Sequence, residues 1–225
     1  MKQFERTVLL IGEENLKKLN NSHVIVFGTG GVGSYVIESL VRSGIGTLSI
    51  VDFDVVDETN INRQIMATHS TIGMKKTEAM KQRILDINPN ISLNINNTFV
   101  SKDTIDEFDF SKYDYVVDAI DNVTGKLLII EKSIIANTNV ISSLGTANKL
   151  DPTKLTITDI SKTHTCPLAK VVRLELRKRD IKHLNVLFST EEPIKHDSKT
   201  LGSVSFVPSV GGLLISSKII KDLIK

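Results

Sequence analysis

The chain has 225 residues, a formal net charge of +2 from 28 basic and 26 acidic side chains, and one cysteine, a length that suits one large domain or a domain with an appendage. The charge balance excludes a mainly electrostatic nucleic-acid binder while leaving room for a local basic patch, and Cys166 alone excludes an intrachain disulfide and a four-cysteine zinc site. No apolar run approaches the ~20 residues that span a bilayer, and the start, Met1 to Arg6, is charged with no apolar signal region, so the chain reads as cytoplasmic and free of membrane.

Residues 22–28 form a short apolar run ending at glycine, which predicts a buried parallel strand. Val32, Val36, Ile37, Leu40 and Val41 then recur at helical spacing, and Gly44-Ile-Gly46 stops that helix. Residues 47–52 make the next strand, with Asp52 at its end, completing a β–α–β unit of the nucleotide-binding kind. Residues 53–72 are irregular and polar, a length of connection that is usually functional or mobile. A helix over 75–87 ends at Asn88-Pro89; strands follow at 91–95 and 113–119, then a helix over 123–137 and a strand at 140–143. Beyond these the pattern predicts strands near 155–160 and 186–189, a charged helix over 168–179, a flexible loop over 191–203 and a terminal helix over 210–223. Together these elements predict an α/β fold: a Rossmann-like, mostly parallel sheet with helices on both faces, extended by further strands and a C-terminal helix. The nucleotide-binding core covers about 20–145 and an extension about 146–225.

Ligands of such sheets sit outside the carboxyl ends of the strands, where three polar features fall. The first is Gly28-Thr-Gly-Gly-Val-Gly33. Gly28, Gly30, Gly31 and Gly33 allow a tight turn and close backbone approach, and the following helix start offers free N–H donors to a phosphate. The second is Asp52-Phe-Asp54, in which Asp52 suits ribose hydroxyls and Asp54 stays open as a second contact. The third is Asp118-Ala-Ile-Asp121, where Asp121 suits Mg²⁺ facing a triphosphate, with Asp118 as the alternative ligand and a helix cap as the plain reading of Asp121. Between them, Asn60, Asn62, Arg63 and Gln64 are dense in donors, and the fork of Arg63 can neutralise and orient phosphate oxygens. Lys76 can meet a phosphate as a point charge, with Lys75 as its decoy. Cys166 has His164 two residues away, which places no base beside it. Lys170, Arg173, Arg177, Lys178, Arg179 and Lys182 form a basic stretch, ordinarily a solvated helix face, which could also touch nucleic-acid phosphates.

The chain resembles the ubiquitin-activating-type (ThiF-like) adenylating enzymes. The resemblance rests on Arg42-Ser-Gly-Ile-Gly46, Asp52 to Gln64, Gly73 to Lys76, Ile87-Asn-Pro89 and Val117-Asp-Ala-Ile-Asp-Asn122. In the second half, Leu150-Asp-Pro-Thr153, Asp159-Ile-Ser-Lys-Thr163, Pro167-Leu-Ala169, Phe188-Ser-Thr-Glu191 and Gly202-Ser-Val-Ser-Phe206 are similar to the branch that dehydrates threonylcarbamoyl-modified adenosine in tRNA. That resemblance implies one adenylation domain over 1–225, with ATP and Mg²⁺ as cofactors and tRNA as substrate. It implies that Asn60, Arg63, Lys76 and Asp121 carry adenylation, that Asp52 binds ribose, and that Gly28, Gly30, Gly31, Gly33, Asp54 and Gln64 complete the nucleotide site. Arg6 matches an arginine that in relatives reaches the partner subunit's triphosphate, which implies a homodimer. The resemblance leaves room for an alkali cation and for sulfur-transfer or cysteine desulfurase-related partners. It implies no zinc, because the two Cys-x-x-Cys pairs of carrier-activating relatives have no counterpart here. The alternative within the family is an activator of a ubiquitin-like sulfur carrier.

Overall fold

A computed structural model of the chain describes residues 2–198 and 200–225; Lys199, in the loop expected over 191–203, lies outside them. Among the described residues seven strands form one sheet: β1 His23–Phe27, β2 Thr47–Val51, β3 Ser92–Asn96, β4 Tyr115–Asp118, β5 Asn139–Ser143, β6 Leu155–Asp159 and β7 Asn185–Ser189. Their order is β3-β2-β1-β4-β5-β7-β6, and every pairing is parallel except that of β6 with β7. The chain leaves β1 toward β2 and β3, then returns to the other side of β1 with β4. That reversal opens a crevice at the carboxyl ends of β1 and β4.

Both faces of the sheet are covered. Val24 and Val26 of β1 join Leu48, Ile50, Val117 and Ile141 in one core, while Ile25 and Phe27 join Val116, Phe108, Phe110 and Ile129 in another. Alternate residues thus point into different cores, which is why β1 reads as a continuous apolar run rather than an alternating one. The first core is closed by α3 (Gly33–Ser43) and α7 (Phe206–Leu223), and the second by α5 (Val123–Ile135). A third core lies between α5, α6 (Pro167–Arg177) and β7, around Ala169, Val172, Leu176 and Val186. The helix expected from residue 75 is α4, Lys76–Ile87.

The N-terminal residues form two helices that the pattern did not reveal, α1 (Glu5–Ile11) and α2 (Glu13–Asn21). The first buries none of its residues and the second only Leu19, so neither carries an apolar stripe. The terminal helix begins at Phe206, four residues before the expected start. Pro208 sits in its first turn, where a missing N–H costs nothing. Gly212 lies so close to α3 that a Cβ there would stand 2.5 Å from the Val32 carbonyl oxygen, so this glycine is a packing contact inside the helix.

Candidate active site

A cavity of about 720 Å³ opens at the carboxyl ends of the strands. The register sets Phe27 level with Val51 on one side and with Asp118 on the other, so the loops after β1, β2 and β4 leave the sheet together. Gly28, Gly30, Gly31, Asp52, Asp54, Asn60, Arg63, Gln64, Lys76 and Asp121 all line this cavity.

The glycine loop is shaped by close approach. Gly28 has φ +90°, and a Cβ there would meet the Ala119 carbonyl oxygen at 2.7 Å; a Cβ on Gly33 would meet the Gly28 oxygen at 1.8 Å. These two glycines fold the loop back so that α3 starts at the cavity wall, and no side chain caps that helix start. Gly33 itself lies beneath the lining and acts through the loop.

Asp52 is buried, and its carboxylate is already oriented. Its Oδ2 accepts the Thr29 backbone N–H at 2.7 Å and the Thr29 hydroxyl at 2.8 Å, and its Oδ1 accepts the Asp54 N–H at 2.9 Å. The acceptor site left over, on Oδ1, suits a sugar hydroxyl. The Asp54 side chain turns to Lys76, whose Nζ donates to Asp54 Oδ2 at 2.7 Å, while the Lys76 N–H donates to the Asp54 carbonyl oxygen at 2.9 Å. Lys76 is buried against the cavity and Lys75 is exposed, which separates the lysine that can meet a ligand from its decoy.

Asn60 and Arg63 come from the polar stretch after β2, which is ordered by a helical turn at Glu58–Asn60. Asp57 caps the turn through the Thr59 N–H at 2.8 Å and hydroxyl at 2.6 Å, and Asn60 Oδ1 accepts the Asp57 N–H at 3.2 Å. The Thr59 hydrogen bonds hold the Asp57 carboxyl below the usual carboxylate range, so the cap is intact at neutral pH. With its oxygen used, Asn60 offers its Nδ2 to the cavity. One Arg63 nitrogen, Nη1, donates to the Thr59 carbonyl oxygen and to Asn62 Oδ1, both at 2.8 Å. The fork is aimed while its other N–H groups stay available. Gln64 is buried with an unpartnered Oε1, an orphan polar atom that a bound molecule would satisfy.

The two acids after β4 divide their roles. Asp118 is fully buried and paired with the fully buried Lys126 at 2.9 Å, and it also accepts the Ser142 hydroxyl at 2.5 Å. Lys126 donates further to the Ser143 carbonyl oxygen at 2.7 Å. Asp118 is therefore a brace between β4, α5 and β5, with no oxygen left to reach the cavity. Asp121 is exposed in the cavity wall and has no hydrogen bond or ion pair among the described residues. No group of three or more His, Cys, Asp or Glu side chains gathers among the described residues. One free carboxylate with neighbouring phosphate oxygens and water is the donor set that Mg²⁺ takes.

Sequence patterns missed part of the wall. Phe53 and Phe99 stack edge to face at 4.8 Å and line the cavity while remaining exposed, an apolar surface suited to a planar base. Ser143 at the end of β5 and Leu144 to Ala147 after it complete the opposite side; position at the end of a parallel strand was their one available signal. The loop expected to be flexible reaches the cavity through Leu201 and Ser203. It is tied down by Asn148, which bonds Ile194 and Gly202, and by Asn62 Nδ2 donating to the Ser203 carbonyl oxygen at 3.0 Å. Arg6 does not line the cavity and is exposed on α1. Cys166 is buried as the N-cap of α6, accepting the Ala169 N–H.

The sequence profile of the ThiF family matches residues 4–225. The chain belongs to the ThiF family. This ThiF-family chain is 44% identical over 241 residues to the tRNA threonylcarbamoyladenosine dehydratase of Bacillus subtilis, a match covering 99% of the chain and 95% of that protein. Among solved structures, it is similar to Escherichia coli tRNA N6-threonylcarbamoyladenosine dehydratase, TcdA, in complex with AMP (TM-score 0.93, 33% identity, 99% of this chain and 94% of that one). It is likewise similar to the same enzyme in complex with ATP (TM-score 0.92, 33% identity, 99% and 93%).

Proposed function

We propose that the chain is an ATP-dependent tRNA threonylcarbamoyladenosine dehydratase that works in the cytoplasm. The observation that carries this reading is one cavity in which Asp52, Asn60, Arg63, Lys76 and Asp121 converge, in a fold shared over its full length with enzymes of that name. No helix among the described residues is long and apolar enough to cross a membrane.

In this reading Phe53 and Phe99 hold the adenine, Asp52 the ribose, and the glycine loop and α3 start the phosphates. The threonyl carboxylate of the modified adenosine and the triphosphate repel each other. Arg63 and Lys76 offset that charge and favour the transition state in which it concentrates on the α-phosphate. Asp121 is the residue that would hold Mg²⁺, which when bound supplies further neutralisation of phosphate charge. A carboxylate oxygen attacks the α-phosphorus and pyrophosphate leaves, giving an acyl-adenylate. A nucleophile within the same modification then attacks the acyl carbon, AMP departs with the carboxylate oxygen, and the net change is loss of water. Holding both reactants in line supplies much of the acceleration.

The active unit in this reading is a homodimer in which Arg6 of one protomer reaches the triphosphate of its partner. Supporting it, α1 presents Leu9 and Leu10 at 87% and 85% exposure, apolar surface that a second copy would cover.

Mass spectrometry of nucleosides from tRNA incubated with the chain and ATP tests the function. Conversion of threonylcarbamoyladenosine to a product lighter by one water is expected. Unchanged nucleoside, with adenylation of a sulfur-carrier tail instead, would move the chain to the carrier-activating branch.

A further inference from the structure

The basic side chains that follow β6 do not line the nucleotide cavity, yet they concentrate positive charge in one segment. Residues 162–182 carry seven basic and two acidic side chains, a net +5 in a chain whose total is +2. Much of this segment is α6, which buries Ala169, Val172 and Leu176 and turns its other side outward. Most of the cations are already engaged. Arg173 donates to the Thr163 carbonyl oxygen, Lys178 and Arg179 pair with Glu175, Arg179 also pairs with Glu131, and Lys182 pairs with Asp180. Of the remaining three, all exposed and without a side-chain partner among the described residues, Lys162 precedes the helix and Lys170 and Arg177 lie on it.

These two are seven residues apart, so they share one helix face about 10 Å apart along the axis. Between them lie Val171 and Leu174, 46% and 47% exposed, which with Arg177 and Lys178 floor a shallow depression. The only acid there, Glu175, is paired. The N-terminal end of α6 reaches the nucleotide cavity: Leu168 lines the cavity, and Cys166 Sγ lies 3.3 Å from where a Cβ on Gly145 would stand.

We propose that the exposed face of α6 is the surface on which the tRNA backbone docks, Lys170 and Arg177 meeting phosphates beside the modified nucleotide in the cavity. The proposal rests on the dehydratase reading for the identity of its occupant and adds where that occupant lies. Charge complementarity carries it: a polyanion meets unpaired cations on a helix whose first turn reaches the cavity. The apolar ground between the cations suits bases of an unpaired loop splayed from their stack.

The test is fluorescence anisotropy of the full chain with tRNA carrying threonylcarbamoyladenosine, across a salt series, for wild type and Lys170→Ala/Arg177→Ala. The variant should lose at least about tenfold in tRNA affinity. Its log–log salt slope should become shallower by between about one and two, with ATP affinity unchanged. Lys170→Arg/Arg177→Lys should restore most of the loss. A control with the same charge loss elsewhere, Lys81→Ala/Lys221→Ala, should bind tRNA as wild type does. Unchanged tRNA affinity in the first variant would overturn the proposal, as would an equal loss in the control. Loss of self-association with tRNA binding intact would also overturn it and assign the face to a second copy. Wild-type chain that binds tRNA through these residues but forms no dehydrated product would overturn the dehydratase reading and leave the docking face standing.

Discussion

Two carboxylates of the site are distinguished by their partners. Asp54 is taken up by Lys76 at 2.7 Å, whereas Asp121 faces the cavity with nothing bound to it among the described residues. Asp121→Ala is expected to abolish tRNA-dependent pyrophosphate release, by at least about 100-fold, with an unchanged urea midpoint, because the carboxylate stabilises nothing in the fold. Near-normal turnover in that variant would remove Asp121 from the chemistry. Asp54→Asn keeps the shape but withdraws the charge that fixes Lys76 Nζ. Steady-state kinetics with ATP varied should show kcat/KM lower by about tenfold, with the larger share in KM for ATP; a wild-type value would mean that Lys76 finds its place unaided.

At the scale of elements, Glu38 of α3 is the joint between two helices. It accepts from Arg42 at 2.7 Å and, through both oxygens, from Arg83 of α4 at 2.6 and 3.0 Å. Burial acts to raise the Glu38 pKa, and the hydrogen bonds from Arg83 and Arg42 outweigh it, holding the carboxyl below its ordinary range. A carboxyl lowered on folding contributes stability that is fully present above its unfolded pKa and is lost as pH falls through the folded value. The Arg83 side chain is 38% exposed and solvent screens it, so Arg83→Ala should cost about 1 kcal/mol in urea unfolding at neutral pH. The gap between variant and wild type should narrow as the pH drops below the ordinary glutamate range; a gap independent of pH would show that packing, not charge, joins the helices. The same scale explains what the sequence made visible. Strands buried on both faces, such as β1, advertise themselves as unbroken apolar runs, and α3 carries a full apolar stripe. The helices α1 and α2 lack that stripe, and the start of α7 was hidden by Pro208, which sits in the helix's first turn. In the site, charged and glycine positions were legible because phosphate chemistry needs them. The Thr29 clamp on Asp52, the Lys126–Asp118 brace and the wall after β5 were not, because each is defined by a contact between distant residues.

For the whole molecule, a site completed by a partner's arginine makes a prediction that no single protomer can meet. If Arg6 acts across the dimer and Asp121 within its own protomer, Arg6→Ala and Asp121→Ala are each inactive alone. Co-expressed, half of the dimers are mixed and each mixed dimer holds one intact site, so activity should return to about a quarter of wild type. No recovery in mixed dimers of confirmed composition would place Arg6 in its own protomer's site, and an active Arg6→Ala variant would place it outside the chemistry.

If the cavity joins a carboxylate to the α-phosphate of ATP, the oxygen lost as water leaves on AMP. Heavy-oxygen label in the threonyl carboxylate of the tRNA follows that oxygen directly. Mass spectrometry of the AMP formed in one turnover should find one labelled oxygen per AMP. Unlabelled AMP alongside dehydrated tRNA would contradict the account.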